Sequence, residues 1–145
     1  MPRIKLEEQP SYEFSYTTSA RVADLNHAAH VGAPQMTTLF HDARIALFLE
    51  LGVSEYDLGD GKSSIIIGDL AVNYRSQAFW GNELSILTHI GEITGNSFRI
   101  FHKIMRGDAL VALAEIGAIT FSFMEGKKTT VPEKFLKALA EKTGN

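Results

Sequence analysis

The chain has 145 residues, of which 45% are hydrophobic and 21% charged, a composition typical of a soluble globular protein. On length we expect one domain spanning residues 1–145, which would bury roughly 68% of the surface of its unfolded chain. A net charge of −3 argues against nucleic acid as the main partner, because phosphate binding needs concentrated positive charge. The absence of cysteine excludes disulfides, thiolate zinc sites and a cysteine nucleophile.

The sequence offers no segment for crossing or entering a membrane. No stretch reaches the roughly 20 apolar residues of a membrane span, and the first residues lack the apolar core of a signal peptide. We therefore expect a cytoplasmic protein. The five histidines have no metal-ligand spacing, so we predict no metal site and no cofactor.

The first half of the chain predicts one strand and one long helix. Aromatic and polar residues alternate over residues 12–17, at the period of a β-strand. After a polar loop, Pro34 suits the first helical position because its φ angle is already helical. Apolar residues then recur at helical spacing as far as Leu51, and Gly52 is a suitable terminator. The helix is so apolar that we expect protein to surround most of it.

The second half predicts antiparallel strands followed by a short helix. Alternating apolar residues and short glycine-containing turns separate the strands. The last strand is apolar on both faces: one face can cover the helix, and the other, rich in small residues, would be costly to leave in water. The predicted strands cover residues 64–75, 83–92, 97–106 and 109–123, and the predicted amphipathic helix covers residues 132–142.

The loop that enters the long helix is the most informative part of the sequence. Residues 23–34 crowd several hydrogen-bonding side chains into a short segment that runs directly into a helix start. A helix start has unpaired backbone N–H groups and a partial positive charge, which suit the oxyanion that develops when a carbonyl is attacked. The loop is therefore a candidate site for carbonyl chemistry.

Three segments match the pattern of one enzyme family. Residues 24–31 read DLNHAAHV, similar to a loop of the type Asp-x-Asp-x-x-Gly-His-Val, and residues 40–44 read FHDAR, similar to an acidic-Ala-Arg segment. Residues 72–82, VNYRSQAFWGN, look like the strand and turn that follow. With the order of elements, they resemble the hotdog-fold thioesterases, in the branch of 4-hydroxybenzoyl-CoA thioesterase. The resemblance implies an α+β hotdog fold, with a curved antiparallel five-stranded sheet wrapped around one long central helix.

The resemblance also implies an activity and an assembly. It implies hydrolysis of an acyl-CoA thioester, or an acyl-carrier thioester, to a free acid and a thiol by water held in the loop. It places the oxyanion on the backbone N–H of Ala33, where Gly32 lets the backbone approach closely and Pro34 begins the helix. Sites of this fold form between subunits, so we expect a homodimer or a homotetramer.

The loop departs from the family at its second aspartate. Asn26 stands where the family has its nucleophile or general base, and an amide cannot act as a base. Asn26 either orients the attacking water and grips the substrate, or forms an Asx turn. His30, at the family's histidine, either donates to the thioester carbonyl or orients water, or else caps the helix or bonds to a backbone carbonyl. The alternative function is therefore a non-catalytic acyl-CoA or acyl-carrier-protein binding protein.

Two carboxylates are candidate bases in place of Asn26. Asp24 lies two residues before Asn26, and its alternative role is an ion pair with Arg21 or Arg44. Asp42, within the helix, is the reserve base. Arg44 lies in an apolar stretch and needs an acidic partner, most simply Asp24.

Cations and aromatic residues complete the list of candidates. Phe79 and Trp80, in a turn, either pack at a subunit contact or line an acyl pocket. Basic residues on the strands or at their ends either bind the phosphates of CoA or keep an exposed face soluble. These basic residues are Arg75, Arg99, Lys103 and Arg106.

Overall fold

A computed structural model describes residues 3–144. Most of the chain forms six strands and two helices, with one 3₁₀ turn, Val22–Asp24, before the first helix. In chain order the elements are β1 (Phe14–Ser19), α1 (Ala33–Glu50), β2 (Ser64–Tyr74), β3 (Glu83–Gly91), β4 (Ser97–Arg106), β5 (Ala109–Ser122), β6 (Lys127–Lys128) and α2 (Glu133–Thr143).

The strands form one antiparallel sheet in the order β1-β3-β4-β5-β2, and α1 packs across its inner face. The predicted architecture, an antiparallel sheet on one long helix, is confirmed. The short β6 pairs with the end of β5 and was not predicted, because two residues carry no periodicity. The first strand begins at Phe14 rather than at Tyr12, whose ring instead packs beneath the Lys103 ammonium, 4.9 Å from it.

The core lies between α1 and the inner face of the sheet. Phe40 and Phe48 of α1 are fully buried against isoleucines of β3 and β4. Phe135 anchors α2 to this core, with its ring centroid 5.0 Å from that of Phe98 and 5.9 Å from that of Phe48. The apolar periodicity of the sequence therefore marks the true core.

Helix α1 departs from the sequence prediction in two ways. It begins at Ala33 rather than Pro34, and Pro34 is tolerated at the second position because first-turn N–H groups have no intrahelical acceptor. Ile45 and Leu49 are 43% and 69% exposed, so protein does not surround the helix within one protomer. The apolar character of this face is available for contact with another chain.

An N-terminal strap, residues 3–13, crosses the outer face of the sheet. Lys103 of β4 pairs with Glu8 of the strap at 2.6 Å, and Leu6 lines a small cavity with Leu110 and Leu113 of β5. Leu113 is only 2% exposed. The strap therefore shields from water part of the outer face of β5, the strand predicted to be apolar on both faces.

Farther along β5, charged side chains form a cluster on the outer face. Arg99 donates to both carboxylate oxygens of Asp69, at 2.8 and 2.6 Å, and to Glu115 at 2.8 Å. A Cβ added to Gly117 would lie 2.0 Å from an oxygen of Asp69, so a side chain at this position would have to displace the cluster. No helix in the described part of the chain is long and apolar enough to span a membrane.

Candidate active site

The loop before α1 is held in place by hydrogen bonds of its own backbone. Its two sides meet at a bridge between Leu25 and Val31, and the N–H of Asn26 donates to the carbonyl of His30 at 2.9 Å. Val31 donates to the carbonyl of Ala78 at 2.8 Å, which ties the loop to the segment after β2. The loop therefore presents its side chains from a defined backbone.

The start of α1 has a free backbone donor. Gly32 is the N-cap residue, and the first helical hydrogen bond runs from Met36 N–H to the Gly32 carbonyl at 3.0 Å. Ala33, the first helical residue, is exposed, and its N–H has no acceptor among residues 3–144. Together with the partial positive charge of an 18-residue helix, this N–H suits an oxyanion.

Asn26 combines a turn-forming oxygen with a free amide nitrogen. Its Oδ1 accepts from the N–H of Ala28 at 2.9 Å and, more weakly, from that of His30 at 3.4 Å. These bonds form the Asx turn, which is one of the two roles predicted for Asn26. The Nδ2 group has no acceptor in the described part of the chain, so it can donate to a ligand. The oxygen is already engaged and is not free to accept from an attacking water.

His30 lies half-buried between the loop and the helix start. Its Nδ1 is 3.4 Å from the carbonyl oxygen of Val31, a long contact in which the ring nitrogen is the donor. This assignment leaves Nε2 with its lone pair as the acceptor, which is the form needed to take a proton from water. His27 lies exposed at the tip of the same loop.

Ala29 takes the place of the glycine in the family loop and has a left-handed backbone, with φ of 65°. A side chain in this region costs roughly 1–2 kcal/mol, because the Cβ approaches the following carbonyl oxygen. The loop therefore keeps the backbone shape that glycine favours, with a strained residue in that position.

Asp24 is a buried structural carboxylate. It accepts from the backbone N–H of Arg21 at 2.8 Å and from its guanidinium at 3.2 and 3.0 Å. These hydrogen bonds lower the pKa of the Asp24 carboxyl, so it is a weaker base than an ordinary aspartate. The ion pair with Arg21 that the sequence offered as the alternative is present.

The predicted pairing of Arg44 with Asp24 is wrong. Arg44 is buried, and its Nε donates to Glu55 at 2.5 Å in the turn after α1. Glu55 also contacts His41 Nε2 at 3.1 Å. The physical reason is that Asp24 is already occupied by Arg21, while Glu55 lies on a turn whose approach to α1 the sequence does not reveal.

Asp42 does not reach the helix start of its own protomer. It lies nine residues beyond Ala33, which corresponds to about 13 Å along a helix axis. No hydrogen bond or ion pair joins it to another described residue, and its charge contributes to the raised pKa of Arg21. If Asp42 acts as a base, it must act on a site formed with a second chain.

Two residues near the site were not predicted. The Oε1 atom of Gln35 is buried without a hydrogen-bond partner in the described chain, and a Cβ on Gly32 would lie 2.1 Å from it. The hydroxyl of Tyr74, at the end of β2, donates to the Ala33 carbonyl at 3.5 Å. Gln35 could have been found as a third helical residue, a position where glutamine often caps, and Tyr74 from the alternation of β2.

A known family model matches most of the chain. The model of the thioesterase-like superfamily matches residues 20–139, which include the loop, α1 and all of the sheet after β1. The chain belongs to the thioesterase-like superfamily. No curated protein gives a significant match to it.

Solved structures show that this thioesterase-like chain has the hotdog fold, as the resemblance implied. Slr0204, a 1,4-dihydroxy-2-naphthoyl-CoA thioesterase from Synechocystis, superposes with a TM-score of 0.79 at 19% identity, over 88% of this chain and 96% of that one. BH1999, a gentisyl-coenzyme A thioesterase, gives 0.76 at 20% identity, over 87% and 99%. SAV2348 from Staphylococcus aureus, solved in complex with CoA, gives 0.82 at 16% identity, over 91% and 84%.

The basic residues predicted to bind CoA fall into two groups in the thioesterase-like fold. Arg99 is paired with two carboxylates and Lys103 with Glu8, so their charges are already compensated. Within residues 3–144, Arg75 and Arg106 donate only to backbone carbonyls, of Leu6 at 3.3 Å and of Gln77 at 3.1 Å. Arg75 and Arg106 therefore keep uncompensated charge.

The aromatic turn lies beside the candidate site. Phe79 forms an isolated bridge with His30, and the side chains of Phe79 and Trp80 are 45% and 67% exposed. This position is compatible with both roles predicted for them. Among residues 3–144 of the thioesterase-like chain, no three potential metal ligands come together.

Proposed function

We propose that the protein hydrolyses acyl-CoA thioesters to a free acid and CoA at the start of α1. The observation that carries the proposal is the N–H of Ala33, an exposed residue, which has no acceptor among the described residues. Two further polar groups of the same loop, Asn26 Nδ2 and His30 Nε2, are also free for a ligand. Two donors and one acceptor on one short loop form the minimum set for attack of water on a carbonyl.

In the proposed reaction, water adds to the thioester carbonyl carbon and the carbonyl oxygen becomes an oxyanion. The oxyanion binds at the Ala33 N–H, with Asn26 Nδ2 as a second donor. His30 Nε2 takes the proton from water as the carbon–oxygen bond forms. The carbon–sulfur bond then breaks, and the proton passes to the departing CoA thiolate, which gives one acid and one thiol.

The substrate class is supported by the surroundings of the loop and by the related structures. Phe79 and Trp80 offer exposed aromatic surface beside His30 for an acyl group. The structures of similar fold include thioesterases of two aromatic acyl-CoA compounds and one protein in complex with CoA. Aromatic acyl-CoA compounds are therefore the first substrates to test.

We also propose that the protein works as a homodimer or homotetramer. β2 is at one end of the sheet order, and its outer edge has no partner strand in residues 3–144. Ile67 and Leu70 of this strand are 40% and 43% exposed, and Ile45 and Leu49 on the open face of α1 are exposed as well. A long apolar edge of this kind is a template for pairing with another chain. Sedimentation of a strictly monomeric protein at micromolar concentration would exclude the proposal.

The test of the hydrolytic proposal is a matched pair of variants at Ala33. Ala33→Pro removes the N–H while keeping a φ angle that suits the first helical position, and Ala33→Gly keeps the N–H. Thiol release from a panel of acyl-CoA substrates should fall about 10²–10³-fold in kcat for the proline variant only. Equal turnover in the two variants would exclude the Ala33 N–H as the oxyanion donor.

The same assay separates hydrolysis from simple binding. Calorimetric binding of a panel acyl-CoA without any release of thiol by the unmodified protein would support the acyl-CoA binding protein, in which Asn26 has replaced a needed base. Release of thiol that depends on the Ala33 N–H supports the thioesterase.

A further inference from the structure

The N-terminal strap is fastened to the end of β2 by side chains. The Oδ1 atom of Asn73 accepts from the N–H of Leu6 at 2.7 Å, and its Nδ2 donates to the carbonyl of Ile4 at 3.0 Å. Arg75 also donates to the carbonyl of Leu6, at 3.3 Å. These three bonds fix where the strap places its own basic residues, Arg3 and Lys5.

A cavity of about 520 Å³ lies between the strap and the end of β2. Its lining contains three cations and no acid, and none of the three cations forms an ion pair with a residue of the described chain. The cavity is lined by Arg3, Lys5, Val72, Asn73, Tyr74 and Arg75. A concave surface with three uncompensated positive charges is suited to a ligand carrying several phosphate charges.

Two glutamates of the strap lie near the same cations. A smaller adjoining cavity of about 270 Å³ shares Lys5 and Arg75 and is also lined by Glu7 and Glu8. Glu8 is already paired with Lys103 at 2.6 Å. Among the described residues that line the two cavities, this leaves Glu7 to oppose the cations, and Glu7 does not line the larger cavity.

The cavity is joined to the candidate active site by one side chain. Tyr74 lines the cavity, and its hydroxyl contacts the carbonyl of Ala33, the residue whose N–H is the proposed oxyanion donor. The layout of CoA matches this arrangement, because a flexible arm joins its phosphates to the thioester sulfur. A substrate with its carbonyl at Ala33 can therefore extend past Tyr74 toward the strap.

We propose that Arg3 and Lys5 of the N-terminal strap, together with Arg75, bind the phosphate groups of the CoA substrate in this cavity. This inference rests on the proposed acyl-CoA hydrolysis, which supplies the ligand. It assigns a binding role to a segment outside the region matched by the family model, which begins at residue 20. Only Arg75 among these residues was a candidate from the sequence.

The test compares two double variants with the same change in net charge. Arg3→Gln/Lys5→Gln removes the cations of the strap but leaves the bonds of Asn73 and Arg75 that fasten it. Lys127→Gln/Lys128→Gln removes two exposed lysines of β6, which do not line the cavity. Binding of CoA and of adenosine 3′,5′-bisphosphate is measured by calorimetry on the full chain, with inorganic phosphate as a third ligand.

The expected result is a Kd for CoA about tenfold higher in the strap variant, as the loss of one charge-assisted hydrogen bond would give, and a change below about twofold in the β6 variant. The ratio of kcat/KM for an acyl-CoA to that for the matching acyl-pantetheine should fall by a similar factor. Raising the salt concentration should weaken CoA binding less in the strap variant than in the unmodified protein.

Equal CoA affinity in the two double variants would overturn the assignment. Equal kcat/KM of the unmodified protein for acyl-pantetheine and for acyl-CoA would overturn it too. Strong binding of inorganic phosphate with no gain for CoA would also overturn it, in favour of a simple phosphate site. If the strap variant loses CoA affinity while no substrate is hydrolysed, the phosphate site stands and the hydrolytic proposal fails.

Discussion

His102 makes the stability of the fold depend on pH. It lies on β4, fully buried, with Nδ1 2.9 Å from the hydroxyl of Thr88 and its ring stacked on that of Phe40 at 5.2 Å. Its Nε2 is buried without a hydrogen-bond partner among the described residues. Burial, with a smaller contribution from the charge of Arg44, lowers the pKa of His102 to about 3.

The size of the effect follows from the difference between the folded and unfolded states. An unfolded histidine has a pKa of about 6.5, so below that pH His102 binds a proton in the unfolded chain but stays neutral in the native state. The contribution of His102 to the free energy of unfolding should therefore fall by about 1 kcal/mol from pH 7.5 to 5.5 and by about 3 kcal/mol from pH 7.5 to 4.5. The loss continues until the pH reaches the folded pKa.

Urea unfolding followed by circular dichroism at pH 7.5, 6.5, 5.5 and 4.5 measures this dependence. His102→Leu should lose stability at pH 7.5, through its missing bond to Thr88, but its unfolding free energy should fall less steeply below pH 6.5. His27→Leu, on the exposed loop, is the control and should keep the steep dependence. If the His102 variant and the unmodified protein show parallel curves, His102 does not cause the acid sensitivity.

Three further substitutions test the loop and the buried pair. Asn26→Asp keeps the turn-forming oxygen but replaces the proposed Nδ2 donor with a negatively charged oxygen beside the oxyanion, so kcat should fall at least about tenfold; unchanged turnover would remove Asn26 from the reacting groups. Ala29→Gly should raise the unfolding free energy by about 0.5–1 kcal/mol, because relief of the left-handed strain exceeds the gain in chain entropy; a destabilised variant would contradict this strain. Glu55→Gln should lower the free energy of unfolding by about 2 kcal/mol, because it leaves Arg44 without a charged partner. The control, Glu133→Gln in an exposed pair, should change this free energy by less than about 1 kcal/mol; urea melts measure both.

Features that follow from local sequence pattern were predicted, whereas contacts between distant residues were not. Alternation and helical spacing predicted α1 and the four long strands within about three residues, because the period of buried residues follows directly from backbone geometry. The helix-start site was predicted for the same reason, since the loop, Gly32 and Pro34 are adjacent in the chain. The roles given to Asn26, His30 and Ala33 remain predictions that the variants above test.

Local sequence patterns predicted the order of elements, the resemblance to a family and the loop that opens α1. Which charges meet depends on the folded chain: Arg44 meets Glu55 rather than Asp24, Lys103 meets Glu8, and the strap lies beside Arg75. Partners of this kind lie 11 to 95 residues apart in the chain. No local period links residues so distant, because their meeting depends on how whole strands and helices pack. The same packing leaves Arg3 and Lys5 without an ion pair among the described residues.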